Sequence, residues 1–438
     1  MALTTKDLWA QYVNGMQSAQ GMPGADNLVI TGSAMPANLN TEFKIPKGKK
    51  TKKAEAAFQV FSLADPLASN QGLYKPSDQN FFSDYATYID NLNPKGAKDP
   101  TDEQKKKMAS DKTALEDATK AYSSDLTSAV SDFEKQSKIF PDKWSSFSEW
   151  LVSSPSSSVL QNDQTKIAGA STTLTTLMNS IYGKDYVAID ANRKIVDQVR
   201  ADLTAKSPQS AAEMEVMDGL KNKYVKPAYT IGDLGVYSKW VENALKRTKP
   251  VARYDFSETA GQYDFSKSTY FSRQEWSEDY FFYSRSGVSV TSRTEVKMDT
   301  SSSALSGYLQ FMDITQVGGI LPGPWYDSSL MYEWGEGATG VTGFSTPYQL
   351  TIAVKPEIHL QLSSANYASA LSAFEKEGSF GVGAFWVYKD SSRYSETDVK
   401  MQAEWNSASN SITIKQDGDQ PVIIAMGMKE VKKGGIGG

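Results

Sequence analysis

From residue 100 onward, apolar side chains return at helical spacing. Met108, Leu115, Tyr122 and Ala129 repeat every seven residues, with Ala118, Leu126 and Phe133 beside them, and Thr101 with Gln104 makes a capping-box pattern directly after Pro100. This predicts one long helix to about Phe140, stopped by Pro141. Such a helix must lean on others, because most helical stability comes from packing an apolar face. Four further stripes are available: Val159, Ile167, Leu174, Leu177, Met178 and Ile181; Ile189, Val196, Val199 and Leu203; Met214, Met217, Leu220 and Tyr224; and Leu234, Tyr237, Trp240, Val241 and Leu245. Residues 100–249 therefore read as a helical bundle.

Before that point the pattern is mixed, and residues 1–99 read as a helical and loop region. Leu8, Trp9, Tyr12, Val13 and Met16 form a short amphipathic stripe behind Thr5. A Gly/Pro-rich stretch follows and ends in Lys44, Lys47, Lys49, Lys50, Lys52 and Lys53, which reads as a solvated loop. Two short helices are expected near Ala54–Ser62 and Asp78–Leu92.

After Lys249 and Pro250 the period changes from 3.6 to 2. Val288, Val290, Val296 and Met298 alternate with polar residues, as do Leu350, Ile352 and Val354, then Phe380, Val382, Ala384, Trp386 and Tyr388. Val399, Met401, Ala403 and Trp405, the pair Ile412 and Ile414, and Val422, Ile424 and Met426 complete the series. One helix interrupts it, with Ser364 as cap, Tyr367, Leu371 and Phe374 as apolar face and Gly378 as terminator. Residues 250–438 thus read as a predominantly antiparallel, sandwich-like β domain carrying at least one helix, and the whole chain as α+β. Two echoes, Tyr254–Ser257 with Tyr263–Ser266 and Thr294–Met298 with Thr397–Met401, are compatible with a duplicated hairpin or with coincidence.

Composition narrows the chemistry. The 438 residues hold 46 Lys plus Arg against 51 Asp plus Glu, a net charge of −5, which argues against nucleic acid as the main partner. There is no cysteine, so no disulfide, thiolate nucleophile or metal–thiolate site can form, and the single histidine excludes a multi-histidine metal centre. No metal or cofactor is expected. No run is apolar for the roughly 20 residues that a membrane-spanning helix needs. The opening residues lack the pattern of a secretory signal, and no Asn-x-Ser/Thr acceptor occurs, so the default expectation is cytoplasmic, with signal-independent export left open.

Candidate sites are few. His359 lies on the polar side of its strand opposite Ile358, Leu360 and Leu362, and spacing identifies neither a nucleophile nor an orienting acid for it. Glu275-Trp276-Ser277-Glu278-Asp279 and Glu333-Trp334-Gly335-Glu336 place carboxylates beside indoles, the residue types a glycosidase uses; Glu275 or Glu278 with Glu333 or Glu336 would be the acid and its partner, Glu278 and Glu333 being the pair carried forward. Gly318 to Tyr326 is a rigid glycine–proline loop presenting Trp325 and Tyr326. Trp325, Tyr326, Trp334 and Trp276 are accordingly the candidate contact residues, while Asp417-Gly418-Asp419 reads as a hairpin turn. Three function classes follow. The first is a non-catalytic interaction or self-assembling protein with a protein partner or a second copy; the second is a pore-forming or membrane-active toxin. The third is a carboxylate-dependent glycoside hydrolase, and a glycan is a further possible partner. No catalytic residue is assigned.

Overall fold

The computed structural model describes residues 12, 27–39, 52–69, 74, 76–93, 99–141, 143–144, 146–183, 185–232, 234–256, 281–285, 293–298, 305–333, 344–394, 399–432 and 435–436. Its helices are α1 (Lys53–Ala64), α2 (Phe81–Asn91), α3 (Asp102–Ile139), α4 (Phe147–Ser153), α5 (Ser156–Tyr182), α6 (Tyr186–Asp202), α7 (Leu234–Ala244) and α8 (Ser364–Glu377). The strands begin with β1 (Asn27–Pro36), β2 (Pro66–Ser69), β3 (Pro76–Asn80), β4 (Glu213–Met217), β5 (Lys223–Pro227), β6 (Tyr229–Ile231) and β7 (Ala252–Phe256). They continue with β8 (Phe282–Arg285), β9 (Arg293–Glu295), β10 (Ser306–Phe311), β11 (Asp313–Gly318), β12 (Ile320–Pro322), β13 (Phe344–Val354) and β14 (Glu357–Gln361). The last are β15 (Ser379–Val382), β16 (Phe385–Tyr388), β17 (Met401–Asn406), β18 (Ser411–Gln416), β19 (Val422–Lys432) and β20 (Gly435–Ile436). The fold is mixed α+β, and every strand pairing among the described residues is antiparallel. The chain divides into two compact units, Ile89–Lys194 on one side and Met1–Tyr88 with Ile195–Gly438 on the other.

The smaller unit is built on α3 and α5. Thr101 Oγ1 accepts from Gln104 N–H at 3.2 Å while Gln104 Oε1 accepts from Thr101 N–H at 2.8 Å, so the expected capping box starts α3. With 38 residues, α3 is about 57 Å long. Its less exposed stripe, Met108, Asp111, Leu115, Ala118, Tyr122, Asp125, Ala129 and Phe133, steps by three and four residues. On α5 the matching stripe is Leu160, Asp163, Ile167, Ala170, Leu174, Met178 and Ile181. The two helices run antiparallel: Ala129 clusters with Leu160, Asp125 meets Asp163, and Gln164 Nε2 donates to Tyr122 Oη at 3.4 Å. Asp163 is buried yet charged, because Lys166 at 2.9 Å holds its carboxyl below the usual range. A polar layer of this kind fixes helix register at a cost in stability. At the turn end, Phe133, Phe147 and Trp150 pack ring against ring, and Trp150 Nε1–H donates to Gln136 Oε1 at 3.1 Å. Arg193 closes the other end by donating to the carbonyls of Ile89, Asp90 and Leu92.

The larger unit holds three main sheets. One runs β17-β18-β14-β10-β7; a second runs β1-β19-β13-β2-β3, with β11 on β13 and β20 on β19; the third runs β16-β15-β8-β9. All three contribute to one apolar cluster that includes Leu309, Ile358, Ile412, Val382, Phe385 and Ile424. The helix α8 adds Tyr367 and Ala370 to it. Its cap is Ser363, whose Oγ accepts from Asn366 N–H, one residue before the expected Ser364, and Gly378 ends it at φ +71°. Gly381 marks a close approach, since a Cβ there would lie 2.2 Å from the Tyr283 ring.

Two sequence readings are corrected. Met214, Met217, Leu220 and Tyr224 do not form a helix face: they belong to the β4–β5 hairpin, whose turn is closed by Asp218, with Asn222 N–H donating to its Oδ1 at 2.9 Å and Lys221 at φ 66°. Four apolar positions at helical spacing are too few to fix a helix, and turn chemistry decides. Asp417-Gly418-Asp419 is not a hairpin turn either, because β18 pairs with β17 and β14 while β19 pairs with β13, β1 and β20. It carries the chain from one sheet to another, and Lys355 pairs with Asp419 across it at 2.8 Å. The stripe from Leu8 to Met16, apart from Tyr12, lies outside the described residues, as do Lys44 to Lys50, Val288, Val290 and Tyr263–Ser266.

Trp150→Ala removes the largest member of the aromatic knot and its hydrogen bond to Gln136. We expect a loss of about 3–5 kcal/mol from the smaller unit in a chemical denaturation followed by far-UV circular dichroism. A change below about 1 kcal/mol would show that the knot is not what holds α4 to α3.

Candidate functional site

Strand alternation sends Leu309, Ile358, Ile412 and Ile414 into the core, so the residues between them face the other way. Register then lines them up. Asp255 on β7, Tyr308 on β10, His359 on β14, Thr413 on β18 and Glu404 on β17 are successive partners across all five strands. The next row is Arg253, Gln310, Glu357, Lys415 and Gln402. Tyr308, His359 and Thr413 are half-buried and Arg253, Asp255 and Glu404 exposed, so the face is open to solvent.

Its centre is tightly connected. The His359 ring stacks on Tyr308 with centroids 5.0 Å apart and planes 16° apart, and the Arg253 guanidinium carbon sits 3.8 Å from the Tyr308 centroid on the same ring system. Tyr308 Oη–H and Gln310 Nε2–H both donate to Glu357 Oε1 at 2.9 Å. Arg253 pairs with Asp255 at 3.0 Å, and Lys415 pairs with Glu404. Burial keeps the Tyr308 hydroxyl protonated, reinforced by the Glu357 carboxylate. Partial burial also pushes the His359 imidazole below its ordinary value; Glu357 opposes that shift and Arg253 adds to it. His359 Nδ1 lies 2.8 Å from Thr413 Oγ1. Among the described residues His359 bonds to Thr413 while Glu357 accepts from Tyr308 and Gln310, so no carboxylate among them orients the imidazole as a triad would. The arrangement is a preorganised hydrogen-bonding platform.

Trp325 and Tyr326 lie elsewhere. Trp325 is fully buried and presents no face to solvent. Its indole N–H donates to Ala228 O at 2.7 Å, and the rings of Phe81, Phe82, Tyr85 and Tyr229 surround it. Tyr326 is half-buried against Phe81 and Tyr85. The rigid loop before them clamps β6: Gly232 N–H donates to Gly319 O at 3.0 Å, and Gly323 N–H donates to Ala228 O at 2.8 Å. A Cβ on Gly323 would stand 2.7 Å from that carbonyl oxygen. Beneath the knot, buried Asp65 accepts from Phe82 N–H at 3.1 Å and Tyr229 Oη–H at 2.7 Å; burial raises its carboxyl above the usual range despite these donors. Trp276, Glu278 and Trp334 lie outside the described residues, as does the side chain of Glu333.

No family model, curated protein or solved structure matches the chain. Among the described residues no group of three or more acids and histidines is placed to hold a metal ion, and no helix is long and apolar enough to cross a membrane. Sequence reasoning put His359 on the polar face but missed Tyr308, Arg253, Glu357 and Thr413, since only strand register brings them together. No local pattern in the sequence points to them.

The depressed His359 pKa implies a pH dependence with a definite sign. Stability present above the unfolded imidazole value of about 6.5 is lost as pH falls through it, because the unfolded chain takes up the proton first. Thermal melts from pH 7.5 to 5 should therefore show a steeper loss for the wild type than for His359→Gln; parallel curves would show that His359 is not held neutral.

Proposed function

We propose that this chain is a non-catalytic interaction protein that self-associates by stacking the polar face of its five-stranded sheet on the same face of a second copy. The observation that carries the reading is the pair of adjacent in-register rows. One has acids at its ends, Asp255 and Glu404; its neighbour has the bases Arg253 and Lys415 on either side of Glu357. A two-fold axis in the plane of the face lays the acid-ended row of one copy over the row that carries Arg253 and Lys415 in the other, the self-complementarity that an isologous dimer needs. Tyr308 and Arg253 supply the residue types that anchor interfaces, on strands held rigid by the core beneath. The finer architecture belongs to the same reading: a helical bundle followed by a sandwich-like β domain, at work in the cytoplasm.

A membrane-active reading has one observation of its own. Ile139, Phe140 and Val152 are 67, 51 and 84% exposed around the turn end of the helical unit. The Lys143 ammonium lies 5.5 Å from the Phe140 ring centre and 4.6 Å from that of Trp144. Aromatic and aliphatic side chains beside a lysine suit the headgroup boundary of a bilayer.

Sedimentation velocity from about 1 to about 100 μM tests the first reading. The wild type should shift toward dimer with concentration, and less so in high salt. Arg253→Glu combined with Lys415→Glu should weaken association by at least about tenfold. A wild type that stays monomeric throughout rejects the proposal. For the membrane reading, cosedimentation with anionic vesicles should be lost on Phe140→Asp, and wild-type protein left in the supernatant excludes it.

A further inference from the structure

Between α1 and the strands β4 and β6, the larger unit forms a cavity of about 570 Å³. That volume suits a small organic molecule. Leu39, Ala54, Val60, Met214, Ile231 and Leu234 make its wall largely apolar. Tyr229 also lines it, with its hydroxyl committed to Asp65 Oδ1 at 2.7 Å, so this residue brings hydrocarbon rather than a free polar tip. The wall is braced from behind: Trp325 packs edge-on against Tyr229 with centroids 5.5 Å apart, and the glycine–proline loop clamps the strand that carries it.

One acidic residue of this lining lacks its full set of donors. Glu213 is 5% exposed, and its Oε2 accepts from Gln209 N–H at 2.7 Å. Its Oε1 is buried and meets no donor among the described residues. The second acid at the cavity, Glu215, is already paired with Lys223 at 3.1 Å, and Lys53 is exposed. A buried carboxyl oxygen left without a donor is costly, and a ligand that brings an N–H to it recovers that cost on binding. A ligand carboxylate or phosphate would instead meet like charge at the same point.

We propose that this cavity is a binding site for a small organic amine, with the apolar body against Leu39, Val60 and Ile231 and the ammonium donating to Glu213 Oε1. The site is separate from the sheet face and does not depend on self-association.

Calorimetric titration with octylamine, octanol and octanoate compares one apolar body under three head groups. Octylamine should bind, octanol should bind about tenfold or more weakly, and octanoate more weakly still. Glu213→Gln should lower octylamine affinity by about ten- to a hundredfold and leave octanol unchanged. Ala57→Trp, which places an indole in the cavity, should abolish binding of all three and decides the matter if Glu213→Gln fails to fold. Wild-type melting gives a readout that needs no variant, since octylamine should raise the midpoint and octanoate should not. Octylamine without heat or thermal shift, octanoate that matches it, or a folded Glu213→Gln protein with unchanged amine affinity would each overturn the proposal.

Discussion

The apolar underside of the five-stranded sheet determines what its upper side can be. Leu309, Ile358, Ile412 and Ile414 are all buried in the cluster shared with the other two sheets, and a slip of one residue in any strand would turn them toward water. With that register locked, the residues between them have no freedom of placement. Tyr308, His359 and Thr413 become neighbours although more than a hundred residues separate the first from the last. The polar rows are therefore as rigid as the core beneath them, which is what recognition by preorganised groups requires.

Aromatic rings supply the second structural device, in a chain that has no cysteine and therefore no disulfide to draw on. The Trp150 knot ties a short helix to a long one, and the Trp325 knot ties a loop to a strand. Each indole N–H is spent on an internal acceptor, Gln136 in one case and Ala228 in the other. This is why a conspicuous tryptophan in the sequence need not be a contact residue. Its apolar area and its single donor are both satisfied more cheaply inside the protein. Glu213 and Asp65 show the converse arrangement, in which an acid is carried into apolar surroundings and its hydrogen bonds decide the outcome. Asp65 gathers a backbone donor and a phenol, whereas Glu213 gathers one donor for two oxygens.

How much of this could be read in advance depended on how local the deciding interaction was. The capping box of Thr101 and Gln104, the heptad spacing of α3 and the left-handed Gly378 are set within a few residues, and they stand in the sequence plainly. The inward alternation around Ile358 and Ile412 was equally visible. At Met214 to Tyr224, where the apolar spacing is helical, the hairpin was missed because the turn at Asp218 to Asn222 outweighs the stripe. Residue partners across strands were not readable at all. Nothing local couples Arg253 to Tyr308, or Gln209 and Glu213 to the cavity facing α1, until the topology is known.

Arg193 gives the helical unit a property that its packing alone would not. Its guanidinium holds the carbonyls of Ile89, Asp90 and Leu92, so the path of the chain into that unit and the path out of it meet at a single side chain. Topologically the stretch between them is a closed excursion from the rest of the polypeptide. Its length can grow or shrink over evolutionary time without displacing the residues that flank it, as domain insertions do elsewhere. The length of the helices and the make-up of the sheets are thereby free to diverge on separate schedules.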